Sequence, residues 1–407
     1  MDIYRKISKN SDKDLLLVFF IQPFIALLLA FKNIKNKYAL TVIFLFNILF
    51  GYTFIAQNIS ADSYQYVQQF KTTTNITISN YLNSLEKYIT FRSNIKDIYD
   101  ITSYYLVSQI SDNYHILFAF WAFVFSFYFL KAFRFLVDRP EFNKSIITFF
   151  VAFLFIYSNP ITNINGVRFY TASWVAVYCI FEIVIKKNYW FLLLAVLTPL
   201  IHITFIAFIA VLLVYLVSLK YDKIWLIIFI ISFFAGSVSI GLAQNYSYLL
   251  PKALQNLIWA YTEGSFTQGK VQSLQALPLY AKIFNFLPYL FINALIFIFI
   301  SKYKLIKANK DVYSAYIFTM IWVIFCNFTM AIPSFGGRFF ELVIPIVMYV
   351  SLIMYNQISL LKKLILFTPI IFSYSIFQWL RFVVTIIDFN ILFNVFPYLL
   401  IKNLFNG

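Results

Sequence analysis

Long apolar runs dominate the chain, separated by short polar or basic stretches. Read at about 17–25 residues per crossing, a run of this kind predicts a membrane helix. The runs fall at Leu15–Phe31, Tyr38–Ala56, His115–Leu130, Ile146–Ser158, Val167–Ile185, Trp190–Leu219, Ile224–Ala243, Ile283–Ile300, Val312–Ala331, Phe339–Tyr355 and Leu364–Val384. The fold class they predict is all-α, a polytopic transmembrane helical bundle of about 11–12 membrane helices. No internal repeat or low-complexity linker divides the chain, so residues 1–407 read as a single integral membrane domain. Composition agrees, with 62% hydrophobic and only 12% charged residues, where a soluble domain carries about 25% charged. Cys179 and Cys326 sit inside apolar runs and read as buried small hydrophobes. No cleavable small-residue site follows the first run, which therefore reads as a retained span and not a signal peptide.

Charge gives the orientation. Lys+Arg number 32 against 16 Asp+Glu, an excess that in such a chain marks cytoplasmic loops and not nucleic-acid binding. Six basic groups stand out: Lys32/Lys35/Lys37, Lys131/Arg134/Arg139/Lys144, Lys186/Lys187, Lys220/Lys223, Lys302/Lys304/Lys307/Lys310 and Lys362/Lys363. With all six on the cytoplasmic side, Trp190–Leu219 must enter and leave the membrane by one face. As one helix it is about 45 Å long, too short for two full crossings. A short paired helix hinged near Pro199 is the expected solution, with His202 turned to the outer side. The arrangement puts Arg5, Lys6, Lys9 and Lys13 outside, so that stretch is interfacial or one of the first two spans is miscounted. Residues 57–114 and 244–282 become extracytoplasmic segments. Both interleave aromatic with polar residues, among them Tyr246, Tyr248, Trp259, Tyr261 and Glu263. That pattern suits stacking on sugar rings and equally suits wet loops with interfacial anchors.

Polar residues at membrane boundaries carry the chemical information, because an ionisable group there is costly. Four places qualify: Ser60 to Tyr66 after the second run, Asn163 to Ala172 at the mouth of another, Pro199 to Thr204 in the hinged run, and Ser334 to Glu341, with Arg338, at the start of a late one. Singly, each arginine can snorkel to headgroups, His202 can be structural and Asp62 can cap a helix. Together they fall on one face under a topology drawn from other residues. Only 9 glycines occur, yet Gly166, Gly336 and Gly337 flank the two arginines, where glycine allows tight turns.

An Asp–x–x–x–Tyr after the second span, an Asn–x–x–Arg, an Ile-His in a short hydrophobic pair and a late Arg resemble the EpsG/Wzy-type polysaccharide polymerases. Here the matching residues are Asp62 with Tyr66, Asn165 with Arg168, Ile201 with His202, and Arg338. Ser60 stands where that family usually has glycine, and Phe169 where a polar residue is more usual. The resemblance implies a multi-pass glycosyltransferase of the bacterial inner membrane. Such an enzyme polymerises undecaprenyl-diphosphate-linked oligosaccharide repeat units into an O-antigen or capsule at the outer face. Its partners are the lipid-linked donor and acceptor, the bilayer and a chain-length regulator protein.

The residues suit that chemistry. Arginine offers planar bidentate donors to a diphosphate, the role expected of Arg168 and Arg338. An acceptor hydroxyl needs a base within reach, for which Asp62 and His202 are the catalytic candidates. Tyr66, Asn165 and Glu341 are expected to touch substrate. No clustered His occurs, so a metal-independent reaction without cofactor is expected. A polysaccharide ligase would use nearly the same site. A lipid-linked oligosaccharide flippase should show more glycine, repeats and mid-membrane acids.

Overall fold

The computed structural model describes residues 14–56, 61–73, 76–90, 97–218, 222–249, 252–332 and 334–386. Ser60, Lys220 and the cations at positions 5, 6, 9 and 13 lie outside them. Helix is the only regular structure among the described residues. In chain order the helices used below are α1 (Pro23–Lys32), α2 (Lys37–Tyr52), α3 (Asp62–Thr72), α4 (Ile78–Ile89), α5 (Ile98–Ser108), α6 (Tyr114–Val137), α7 (Ile146–Tyr157) and α8 (Val167–Ile180). There follow α9 (Phe191–Ile201), α10 (Ile206–Ser218), α11 (Asp222–Ser232), α12 (Gly236–Tyr246), α13 (Lys252–Thr262), α14 (Ser265–Gln275) and α15 (Leu279–Ser301). The last are α16 (Lys310–Thr329), α17 (Gly336–Glu341), α18 (Val343–Met354), α19 (Ser359–Leu366) and α20 (Thr368–Ile386).

Polar residues between the apolar runs start the helices. Asn36, Asn113, Ser145 and Asn309 each accept a backbone N–H from the first turn of α2, α6, α7 and α16, which satisfies donors that no intrahelical carbonyl can reach. Apolar faces then pack inward around Trp121, Trp174 and Trp322, all fully buried. Gly51 sets the closest approach: a Cβ there would meet Ala122 Cβ and the Phe118 carbonyl at 2.5 Å, so α2 lies directly against α6.

Among the described residues, six helical segments are long and apolar enough to cross a membrane: Tyr114–Val137, Ile146–Ile185, Leu279–Ser301, Lys310–Thr329, Gly336–Met354 and Ser359–Ile386. The chain is thus a multi-pass membrane protein. Several expected spans are shorter or broken. The first run breaks at Gln22, whose extended backbone caps α1. Ile224–Ala243 divides into α11 and α12 around residues 233–235. Residues 190–218 do fold as short helices near Pro199: the helix turns at Leu197, just before the proline, and breaks into extended backbone at His202 (φ −151°, ψ 118°). Proline in a first helical turn gives up no helical hydrogen bond, so Pro199 starts a helical turn.

Direct contacts join all six basic groups at one end of the bundle. Lys35 stands over the Phe142 ring, Arg139 lies 3.8 Å from Asp311, and Lys187 bonds Ser314 at 2.9 Å. Asp222, next to Lys223, pairs with Lys307, while Tyr355 accepts from Asn143 and underlies Lys362. Lys187 also meets the hydroxyl of Tyr215. Lys187 precedes α9 and Tyr215 is near the end of α10, so the paired helices do return to the level at which they started. The segments 57–114 and 244–282 fold largely as helices, α3 to α5 and α12 to α14.

Candidate functional site

The site is built where α8 begins. A 3-10 turn, Ile161–Gly166, leads into it and places Asn165 against the start of α3, where its Oδ1 accepts the Ser63 N–H at 3.2 Å. Asp62 is therefore held, exposed, at the first position of α3. It lies within electrostatic reach of Tyr66, Asp100, Tyr170 and Tyr261. One turn along α3, Tyr66 is buried beneath the Arg168 guanidinium, 5.4 Å from ring centroid to cation. Burial pushes the Tyr66 hydroxyl well above its ordinary value, with Arg168 opposing.

Arg168 is already engaged. Its Nη1 lies 3.0 Å from Asp97 Oδ2 and 3.3 Å from Asp100 Oδ2. The other Asp97 oxygen accepts the Ile203 N–H at 2.8 Å, directly after the His202 break. One carboxylate thus fixes the guanidinium and the break together. From α4, the Tyr88 hydroxyl donates to the Pro199 carbonyl at 3.2 Å and secures the same break a second time. Burial pushes Asp100 up to about 7; Arg168 lowers it and Asp97 raises it further. Arg168 Nε and Asp100 Oδ1 are buried and make no hydrogen bond among the described residues.

His202 and Arg338 meet on Phe169. The imidazole lies edge-on to that ring at 5.4 Å, and the Arg338 guanidinium stands over it at 5.6 Å. The Thr204 hydroxyl lies 2.7 Å from His202 Nδ1, and the Thr204 N–H turns to the same nitrogen. The backbone N–H can only donate, so it favours Nδ1 as the acceptor and Nε2 as the donor nitrogen. Arg338 makes no ion pair among the described residues. The turn that carries it requires Gly336, where a Cβ would lie 2.6 Å from the Thr329 carbonyl carbon and 2.7 Å from Met330. Ser334, two residues earlier, takes the left-handed conformation at φ 61°.

Tyr261 of α13 closes the group. Its hydroxyl senses Arg338, Asp97, Arg168 and Asp62 at once, and its ring lies 6.1 Å from Phe335. Burial raises its pKa, against the pull of Arg338. Of the residues singled out in the sequence, Asp62, Tyr66, Asn165, Arg168, His202 and Arg338 gather here. Glu341 instead lines a small internal void with Ser158, Asn159 and Tyr170, and acts on Arg338 through space. Three residues of the group went unselected. Asp97 and Asp100 carried a readable signal, an i, i+3 carboxylate pair on one helical face; Tyr261 carried none beyond its place in a polar segment.

The group offers guanidinium, imidazole, carboxylate and phenol side by side at the end of the bundle opposite the basic loops. No curated protein and no solved structure matches the chain. The sequence signature of the EpsG family matches residues 37–400, a stretch that takes in every helix from α2 to α20. The chain belongs to the EpsG family of membrane proteins, which is linked to exopolysaccharide biosynthesis.

Proposed function

We propose that this EpsG-family protein is a repeat-unit polymerase that joins undecaprenyl-diphosphate-linked oligosaccharides at the outer face of a bacterial inner membrane. The observation that carries the reading is the meeting of Asp62, Arg168, His202, Arg338 and Tyr261 at the end away from the basic loops. The positive-inside rule puts that end outside. In the reaction, a hydroxyl oxygen of the acceptor sugar attacks the anomeric carbon of the donor glycan, and the bond from that carbon to the lipid diphosphate breaks. Asp62, exposed at the start of α3, takes the hydroxyl proton. Charge grows on the departing diphosphate and is met by Arg338, which makes no ion pair among the described residues, and by Arg168. His202 Nε2–H is the donor to the leaving oxygen, and Asp97 keeps it in register with Arg168.

In cells deleted for this gene, Asp62→Asn and His202→Ala should each reduce the ladder of long chains by about 100- to 10,000-fold. Surface glycan would then carry one repeat unit, at unchanged protein level in the membrane. A normal ladder from Asp62→Asn removes it as the base; normal ladders from both leave the reading without a catalyst.

A further inference from the structure

A cavity of about 1220 Å³ opens on the flank of the bundle, between the helices at positions 14–32, α7 and α20. Its walls are apolar, with Leu28, Phe149, Phe153 and Ile376 among them. Lys32, Lys35 and Lys144 surround its mouth at the basic end. All three are exposed, and none makes an ion pair among the described residues. Asp14 is the one carboxylate along the lining. From this we infer that the cavity is a binding site for an anionic diacyl phospholipid of the leaflet at the basic end.

Each part of the lipid has its counterpart. An apolar cavity facing hydrocarbon holds no stable water, so acyl chains are its natural filling. Its long wall, α7, is about 18 Å of helix, roughly the depth of one leaflet. The three ammonium groups provide for a phosphate among the lining residues. That place is at the opposite end of the bundle from Arg338 and His202, so a headgroup bound there is not a reacting one. The lipid is a resident component and not the substrate, and the inference is independent of the catalytic reading. It touches the site only through the wall. Trp379 of α20 lines the cavity and donates to Thr162 Oγ1 at 2.8 Å, in the turn that precedes Arg168.

The test uses the full-length protein in nanodiscs of phosphatidylcholine with or without phosphatidylglycerol. Bound lipid is counted by native mass spectrometry, with thermal stability as a second measure. Wild type should retain phosphatidylglycerol over phosphatidylcholine. The exposed-site variant Lys32→Gln/Lys35→Gln/Lys144→Gln should lose about fivefold of that preference per lysine while folding normally. Ala152→Trp, which fills the cavity, should retain neither lipid. An unchanged preference in the triple variant overturns the inference, as does lipid still bound to Ala152→Trp. A lipid-free dimer in place of a lipid-bound monomer would also overturn it, since a second copy would then fill the groove.

Discussion

Two charged clusters, one at each end of the bundle, use charge in opposite ways. At the basic end Asp222 accepts from the Tyr303 hydroxyl, from Tyr313 at 2.7 Å, from Lys307 at 3.1 Å and from the Lys223 backbone. Those hydrogen bonds, Tyr303 first, hold its carboxyl well below the usual range. Lys187 Nζ finds three acceptors, Val184 O, Ser314 Oγ and Tyr215 OH. These charges join α10, α11 and α16, and they are saturated. At the other end, among the described residues, Arg168 shares one nitrogen between two carboxylates and leaves Nε unbonded, Asp100 keeps an unbonded oxygen, and Arg338 stands over an aromatic face with no ion pair. A buried donor without a partner costs about 1–3 kcal/mol. Asp222 and Lys187 with their partners thus form a latch, whereas Arg168 and Arg338 with theirs form a seat for a ligand.

The largest expected effect tests the seat. Arg338→Lys keeps the charge but loses the planar fork, so polymer should fall by about 100-fold or more at normal membrane level. The corresponding change at the basic end, Lys307→Arg, should leave polymer unaltered. Equal behaviour of the two variants would erase the difference between the ends.

A smaller loss is expected from Asp97, which positions other groups. In Asp97→Ala the Ile203 N–H loses its acceptor and Arg168 loses one of its two carboxylates, so the cation and the imidazole drift apart. A displacement near 1 Å is enough for roughly a 10- to 100-fold loss of polymer. Asp97→Asn retains the bond to Ile203 and should recover part of the activity. Identical losses in the two variants would mean that the bond to the break contributes nothing.

The smallest effects separate the ends by pH. Asp222 is held below its unfolded value near 4, so its contribution is present above about pH 4 and is lost as pH falls through the folded value. Asp100 has the opposite sign. Raised to about 7, it favours the folded state fully below about pH 4, and that advantage disappears as pH rises towards 7. Asp222→Asn should therefore lower the melting temperature at pH 7, with the gap narrowing below about pH 4. Asp100→Asn should raise it at pH 8 and much less at pH 5. Each shift should be a few degrees, at roughly 2–4 °C per kcal/mol for a chain of this size. Thermal melts across pH in detergent measure both, and parallel pH curves would refute the opposed signs.

Hydropathy made the bundle legible, because span length and apolar content are properties of consecutive residues. Charge pattern made the parity of residues 190–219 legible, and the meeting of Lys187 with Tyr215 agrees with it. The position of the extended break did not follow from proline. In a short helix pair the break falls where a carboxylate can take up a freed N–H, and here that is Ile203 beside Asp97. Arg168 read as a phosphate ligand, and its pairing with Asp97 and Asp100 was invisible for the same reason.

The sequence by itself determined a multi-pass helical protein, the gathering of its cations at one end, and Asp62, Arg168, His202 and Arg338 as its unusual boundary residues. Only the tertiary structure decided that α5 lies across the start of α8, that Phe169 carries both His202 and Arg338, and that Tyr261 stands among all of them. The physical reason is range. A span or a cap is fixed within one or two helical turns, whereas the bond between Asp97 and Ile203 joins residues 106 positions apart. Its existence depends on how several helices pack, which no stretch of neighbouring residues encodes.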